Sequence, residues 1–258
     1  MKKAGWLAAP VLALLALGAS PESRVVDLTY PFSGDTVYWP TAERFRLTVE
    51  SEGRTEKGYY YAANSFCASE HGGTHVDAPI HFAEGKATVD AIPLERLMAP
   101  GILVDVSARV QGDADYLVRV ADLQGWEKRH GRIPDGVILL LRTGWGEFYP
   151  DRKKYLGTEG RGPEAVPDLH FPGLAPEAAD WLVKKRRIAA IGLDTASIDH
   201  GPSQLFRSHE ILFQAEIPAF ENVAHLDQLP STGFRIIALP MKIQGGSGGP
   251  LRIVAVIE

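Results

Sequence analysis

The sequence predicts a mixed α/β fold, in which one domain is built on a mixed β-sheet with barrel-like, layered β/β/α character and flanking helices. Seven or more strand-like segments accompany only two clear helical segments, and no internal repeat is present. The chain has 258 residues, of which 45% are hydrophobic and 23% charged, and this is enough for one large core. We therefore expect residues 21–258 to form one domain.

The first twenty residues differ in composition from the rest of the chain. Lys2 and Lys3 precede an apolar run over residues 5–17, and small residues follow at 18–20. This order is typical of a secretory signal peptide, and the apolar run is short for a bilayer-spanning helix. We expect residues 1–20 to be a signal peptide and the mature chain to be secreted or periplasmic, free of the membrane. An uncleaved anchor is the less favoured alternative.

The predicted strands are runs of β-branched, aromatic and other apolar residues that end at turn residues. Three of them are almost continuously apolar, which indicates strands at the centre of the fold: residues 101–107, 136–143 and 188–193. Shorter or alternating runs predict further strands over residues 24–29, 45–50, 59–61, 235–239 and 251–257.

Helical patterns are fewer. Residues Val120–His130 predict a helix with Asp122 as its N-cap, and residues 174–185 predict an amphipathic helix with basic residues in its last turn. A short helix is expected within residues 89–98. Residues 144–167 are polar and irregular, which predicts a long surface loop of the kind that is often functional in compact domains.

Composition excludes several classes of function. The net charge is −5 and no basic stripe is present, so nucleic-acid binding has no electrostatic support. Cys67 is the single cysteine, which excludes an internal disulfide and any thiolate zinc cluster, and we expect it in a buried strand. The glycine run at 245–249 lacks the lysine and the strand-to-helix context of a phosphate loop, so a turn is expected there.

The densest group of metal-ligating residue types is the segment 71–82, His-Gly-Gly-Thr-His-Val-Asp-Ala-Pro-Ile-His-Phe. Its glycines and proline disfavour a helix. In an extended chain His71, His75 and Asp77 project to the same side, and a bend near Pro79 could bring in His81. A lone histidine is more often a packing residue than a ligand, but this combination favours a site for zinc or manganese.

Two features elsewhere in the chain leave alternatives open. Glu221 follows His209 by twelve residues and sits in otherwise apolar sequence. A carboxylate buried there must be paired, protonated or bound to a metal, and the sequence alone does not separate a salt bridge from a metal ligand. Trp39 either packs or lines a pocket, and on sequence alone packing is favoured.

The segment 71–82 resembles the HxGTHxDxPxH signature of the metal-dependent cyclase family. That family includes bacterial kynurenine formamidases, isatin hydrolases and some polyketide cyclases. The resemblance extends from about residue 25 to the C-terminus, and it takes in the Trp39-Pro40 pair, residues 193–199, and His209 with Glu221 at the family's spacing.

The resemblance implies a role for each of these residues. His71, His75 and Asp77 would hold a first ion. Asp77 and Glu221 would bridge to a second ion that His209 also holds. His81 would donate and accept protons, and Trp39 would contact an aromatic substrate. The expected cofactor is Zn²⁺, with Mn²⁺ as the alternative, as one or two ions, and the expected assembly is a homodimer or larger homo-oligomer.

The activity implied by the resemblance is hydrolysis of a small aryl amide, of the type that converts N-formylkynurenine to kynurenine. Metal-bound hydroxide would attack the amide carbon, and His81 would act as general acid and base. Two features depart from the formamidase pattern: Glu210 stands where a second histidine is common, and we expect the chain to be exported, whereas formamidases are expected in the cytosol. An isatin-like cyclic amide or a lactone is therefore an alternative substrate, and a non-catalytic, metal-dependent binding protein is a third hypothesis.

Overall fold

The fold was analysed in a computed structural model that describes residues 23–257, so the predicted signal peptide lies outside the described residues. Twelve strands occur in the described range: β1 Arg24–Asp27, β2 Arg46–Arg54, β3 Tyr60–Cys67, β4 His75–Asp77, β5 Met98–Asp105, β6 Leu117–Val118, β7 Ile138–Arg142, β8 Gly173–Leu174, β9 Ala190–Leu193, β10 Ala219–Glu221, β11 Phe234–Pro240 and β12 Gly248–Ile257. Six α-helices occur in the same range: α1 Leu94–Leu97, α2 Ser107–Val110, α3 Val120–His130, α4 Arg152–Leu156, α5 Pro176–Lys185 and α6 Arg207–Gln214.

A closed mixed sheet forms the centre of the protein. Its seven strands follow the order β12, β11, β5, β7, β9, β10 and β4, and β4 pairs again with β12 to close the ring. Neighbours from β5 to β10 are parallel, the remaining pairs are antiparallel, and β1 adds to the outer edge of β12. The predicted mixed α/β domain with barrel-like character is therefore confirmed.

Each strand of the ring separates two hydrophobic cores, because successive side chains point to opposite faces. On β7, Ile138 and Leu140 pack inside the ring with residues from every other ring strand, among them Phe220. Leu139 and Leu141 point outward and pack against helices α3, α5 and α6. This two-sided burial explains why the central parallel strands read as continuous apolar runs.

Most predicted elements are present, and the main corrections concern helices. Helix α3 has the predicted bounds, but Asp122 is its third residue and not its N-cap: the Asp122 carboxylate accepts a hydrogen bond from the backbone N–H of Arg119 at 2.7 Å. The predicted surface loop over residues 144–167 contains helix α4. Helix α6 was not predicted. No helix in the described range is long and apolar enough to cross a bilayer.

Strands β2 and β3 form a separate two-stranded ribbon, and within residues 23–257 each pairs only with the other. Cys67 lies at the end of this ribbon. It is in a strand, as expected, but its side chain is exposed and not buried, because the ribbon has no core beneath it.

Truncation of Leu139 tests the outer core. Replacing this fully buried side chain by alanine (Leu139→Ala) is expected to lower the free energy of unfolding by about 2–5 kcal/mol, because a cavity is left between the sheet and the helices. Urea unfolding of metal-saturated protein measures the change. The control Leu239→Ala, at a half-exposed leucine of β11, is expected to cost less than about 1 kcal/mol. Equal losses in the two variants would contradict this account of the core.

Candidate metal centre

The closure of the sheet places a downstream carboxylate beside the histidine-rich segment. Strand β4 lies between β10 and β12, and on β10 Glu221 stands directly opposite His75. Residues that face each other across paired strands project to the same side of a sheet. Glu221 Oε2 accordingly lies 3.5 Å from His75 Nε2, and Asp77 Oδ1 lies 3.0 Å from the same nitrogen. Glu221 is also held by the backbone N–H of Ile198, which donates to its Oε1 at 2.8 Å.

His71 reaches the centre by a different route from the extended chain that the sequence predicted. Only His75–Asp77 forms a strand, and the preceding residues form a bend. His71 nevertheless converges on Asp77, since its Nδ1 lies 2.6 Å from Oδ1 of Asp77 and its Nε2 lies 2.9 Å from Ser247 Oγ. A glycine is needed at position 248, because a Cβ there would lie 2.6 Å from the His71 ring.

His209 completes the cluster from helix α6. Its Nε2 lies 3.3 Å from Asp77 Oδ2 and 3.2 Å from Glu221 Oε1. Its Nδ1 lies 2.7 Å from Oδ2 of Asp199, and the backbone N–H groups of Ser208 and His209 also donate to that carboxylate. Asp199 therefore fixes the ring so that Nε2 faces the two carboxylates. A carboxylate behind a histidine in this way is the usual partner of a metal-binding imidazole.

One buried atom shows that these residues fit a divalent ion. His75 Nε2 is buried and has no hydrogen-bond partner in the described part of the chain, since its approach to Asp77 has no hydrogen-bonding geometry. Two groups of three residues each bring their ligand atoms within 4.8 Å of one another, and both include Asp77. They are His71, Asp77 and His81, and His75, Asp77 and Glu221. Imidazole and carboxylate donors suit Zn²⁺ or Mn²⁺, and a carboxylate common to both groups can serve two ions.

The two central carboxylates have opposite pKa shifts. Burial favours the protonated form of both. For Asp77 the surrounding histidines outweigh burial and lower its pKa well below the ordinary value. For Glu221 burial and the charge of Asp77 dominate, and its pKa is raised. Without a cation, Asp77 is therefore the fixed negative charge of the centre.

The pKa values of the histidines also shift in opposite directions. Burial lowers the pKa of His209, but Asp199, Asp77 and Glu221 more than offset this and raise it well above the ordinary value. The pKa of His75 is also raised, because Asp77 and Glu221 outweigh its burial. Burial lowers the pKa of His81 to about 4, against the opposing charge of Asp77, so His81 is neutral at neutral pH.

A pocket of about 320 Å³ opens above the centre. All seven residues singled out from the sequence line it: Trp39, His71, His75, Asp77, His81, His209 and Glu221. Its far wall is aromatic, since the ring of Phe206 lies 6.2 Å from that of Trp39 and 5.2 Å from that of Phe82. Trp39 thus lines a pocket and also packs, edge-on, against Phe171.

Phe206 was missed by the sequence analysis. It precedes helix α6 with a φ of 47°, a left-handed conformation that is uncommon for an aromatic residue, and it aims its ring into the pocket. Asp199 lies in the stretch 193–199 that the family resemblance takes in, but no role was predicted for it. The signal for Asp199 was its position just after a buried strand, and Phe206 gave no signal of its own.

Comparison with known proteins places the chain in a family. The family model named Cyclase matches residues 26–200. The chain belongs to the cyclase family.

Relatives within the cyclase family cover almost the whole chain. The isatin hydrolase of Roseibium aggregatum is 32% identical over 245 residues, covering 92% of this chain and 88% of that protein. The kynurenine formamidase of Bacillus thuringiensis is 30% identical over 233 residues, covering 90% and 97%. The structure of isatin hydrolase A from Ralstonia solanacearum is similar with a TM-score of 0.83 and 35% identity, covering 92% of both chains.

Ion binding to this cyclase-family centre is expected to release protons. The pKa of His209 is raised well above the ordinary value, so His209 holds a proton at neutral pH when no cation is bound, and Zn²⁺ must displace that proton. The affinity for Zn²⁺ is therefore expected to fall as the pH is lowered through the neutral range. Calorimetric titration of metal-free protein at pH 7, in two buffers with different ionisation enthalpies, measures the number of protons released.

The variant Asp77→Asn keeps the shape of the shared ligand but removes its charge. We expect it to weaken Zn²⁺ binding by about 100-fold or more, because loss of a ligand exceeds the effect of losing an outer partner. In the two-buffer titration of the wild-type protein, heats of binding that are the same in both buffers would show that no proton is released, and would contradict the protonation of His209 in the metal-free protein.

Proposed function

We propose that this cyclase-family protein is a metal-dependent hydrolase of a small aryl amide. The observation that carries the proposal is the position of His81, between the ion-binding residues and the aromatic wall. Its ring stacks on His71 with ring centroids 3.8 Å apart, and it lies 4.5 Å from the ring of Phe82. No residue in the described part of the chain is hydrogen-bonded to the His81 ring, which leaves its nitrogens available to a substrate.

The two ends of the pocket match the two ends of an aryl amide. Trp39, Phe82 and Phe206 offer flat apolar surfaces that fit an aromatic ring. The opposite end carries the imidazoles and carboxylates of the centre, where a polar carbonyl and nitrogen are accommodated. The pocket volume of about 320 Å³ suits a substrate of one or two rings.

The protonation states of the centre suit amide hydrolysis. One or two divalent ions held by His71, His75, Asp77, His209 and Glu221 would activate a water molecule and polarise the amide carbonyl. His81 is neutral because burial lowers its pKa to about 4, so a ring nitrogen can accept a proton from the attacking water. The same nitrogen can then return the proton to the amine that leaves.

Two substrate types fit this chemistry. N-formyl aryl amides such as N-formylkynurenine are the first, and isatin-like cyclic amides or lactones are the second. Glu210, the residue that departs from the formamidase pattern, forms an ion pair with Arg207 on the exposed side of α6 and does not line the pocket. Because position 210 lies outside the pocket, the glutamate there does not separate the two substrate types.

We extend the proposal to three properties of the mature protein. Zn²⁺ is the proposed ion, with Mn²⁺ as the alternative, since the ligand set suits both. The protein is secreted or periplasmic, on the strength of residues 1–20. It acts as a homodimer or larger homo-oligomer, as its resemblance to the cyclase family suggests.

A substrate panel tests the proposed activity. We expect Zn²⁺- or Mn²⁺-loaded protein to hydrolyse isatin, N-formylkynurenine or formanilide, and a chelator to abolish turnover, because activation of water depends on the ion. Ring opening of isatin and release of the aniline are followed by absorbance. Binding of these compounds without turnover would favour the non-catalytic alternative over a hydrolase.

The variant His81→Ala tests the proton-transfer step. Turnover is expected to fall by about 10²- to 10⁴-fold, because a general acid and base is removed. Metal content, measured by mass spectrometry, is expected to stay unchanged, because the proposed ligands are other side chains. The control is His170→Ala, at an exposed histidine paired with Asp115 outside the pocket, which should leave both quantities unchanged. Full turnover by His81→Ala would exclude His81 from the reaction.

A further inference from the structure

The glycine run of residues 245–249, which the sequence predicts as a turn, lies beside the metal centre. The backbone N–H of Ala78 donates to the carbonyl oxygen of Ser247 at 2.9 Å. Gly248 pairs with the ligand Asp77 where strands β12 and β4 meet. The turn is therefore fixed against the segment that carries the histidines.

Two glycines of this run allow it to approach the centre closely. A Cβ at position 246 would lie 2.7 Å from Oε1 of Glu70, and one at position 248 would lie 2.6 Å from Cε1 of His71. With any larger residue at these positions, the Glu70 carboxylate or the His71 ring would have to move. The glycines thus let Ser247 lie between these two side chains.

Ser247 is hydrogen-bonded to both neighbours. Its Oγ lies 2.7 Å from Oε2 of Glu70 and 2.9 Å from Nε2 of His71. The backbone N–H of Ser247 also donates to Oε2 of Glu70, at 2.9 Å, which fixes the carboxylate in place. The three residues are half-buried. They form a hydrogen-bonded chain that ends at the metal centre.

With Glu70 as a carboxylate, the donors and acceptors of this chain can be arranged in only one way. A serine hydroxyl has one proton to donate, and a carboxylate only accepts. Since Ser247 donates to Glu70, its Oγ accepts the other hydrogen bond, and the donor is Nε2–H of His71. A neutral imidazole carries a proton on one nitrogen, so Nδ1 of His71 keeps a free lone pair. That lone pair faces Oδ1 of Asp77 at 2.6 Å, and two acceptors so close together require a shared cation.

The same reasoning gives the opposite nitrogen for two other histidines. Nδ1 of His75 faces the carbonyl oxygen of Gly73 at 3.0 Å, so Nδ1 carries the proton and Nε2 is free. Nδ1 of His209 faces the carboxylate of Asp199 at 2.7 Å, which again leaves Nε2 free. Of these three rings, His71 is therefore the one that turns Nδ1 toward the centre.

We propose that Ser247 and Glu70 are positioning residues, which hold His71 in the tautomer whose Nδ1 binds the ion. This rests on the part of the proposed function that assigns a divalent ion to the centre, and it is independent of the substrate. A carboxylate or carbonyl behind a metal-binding imidazole fixes its tautomer and ring orientation. His71 depends most on such support, because its side chain is 24% exposed, whereas that of His209 is 3% exposed.

Removal of the serine hydroxyl tests the proposal. The Zn²⁺ affinity of Ser247→Ala, measured by competition with a chromophoric chelator, is expected to fall by about 10- to 100-fold, the usual loss when an outer partner of a metal ligand is removed. Ser247→Thr keeps a hydroxyl and is expected to restore most of the affinity. The matched control is Ser107→Ala. Ser107 is half-buried, donates to Asp105 at 2.7 Å and accepts from Arg142 at 3.2 Å outside the centre, so its loss should leave Zn²⁺ affinity unchanged.

Nuclear magnetic resonance measures the tautomer itself. Long-range proton–nitrogen correlation spectra of Zn²⁺-loaded protein labelled with nitrogen-15 at histidine are expected to show a proton on Nε2 of His71 and none on Nδ1. The signals of His71 are assigned by their loss in His71→Ala.

Three results would overturn the proposal while leaving the metal centre intact. They are a proton on Nδ1 of His71 in the Zn²⁺-loaded wild type, Zn²⁺ binding by Ser247→Ala as tight as that of the wild type, and equal losses of affinity in Ser247→Ala and Ser247→Thr. The last result would assign the effect to packing and not to the hydroxyl. A wild-type protein that binds no Zn²⁺ would refute the metal centre and this assignment together.

Discussion

The compensation of buried charge is the constraint on which the rest of the centre depends. Asp77 and Glu221 lie almost fully out of solvent, and an isolated carboxylate in that position would be unstable as an anion. The protein surrounds Asp77 with imidazoles, whereas burial and the charge of Asp77 raise the pKa of Glu221. The histidine rings are thus held in fixed orientations by the carboxylates of Asp77, Glu221 and Asp199.

The closed sheet makes this arrangement rigid. Strand β4 has only three residues, yet it is hydrogen-bonded on one side to β10 and on the other to β12. A short strand at an open edge would hold His75 and Asp77 loosely, whereas a strand inside a ring has no free edge. Helix α6 then presents His209 from outside the ring, and its ring orientation is set by Asp199. The ligands therefore come from two strands, a bend and a helix that the ring fixes relative to one another.

Local sequence patterns predicted the central strands, helix α3 and the four candidate ligands of the 71–82 segment, because these depend on residues close together in the chain. The partnership of His209 and Glu221 with that segment followed only from family resemblance, since it requires closure of the sheet. Helix α6 escaped prediction because Phe206 starts it in a left-handed conformation, without a capping side chain. The exposure of Cys67 was also missed, because it depends on β2 and β3 pairing with each other and with no other described strand, which the local sequence does not indicate.

The ribbon of β2 and β3 is joined to the metal centre at its base. Thr41 and Ala42 lead into the ribbon, Ser69 and His71 follow it, and all four line the pocket. The base is closed by two hydrogen bonds, in which Glu43 N–H donates to Ser69 Oγ at 2.9 Å and Ser69 N–H donates to Glu43 O at 3.2 Å. Because these bonds tie the two ends of the ribbon together, they also hold the two chain segments of the pocket wall beside each other.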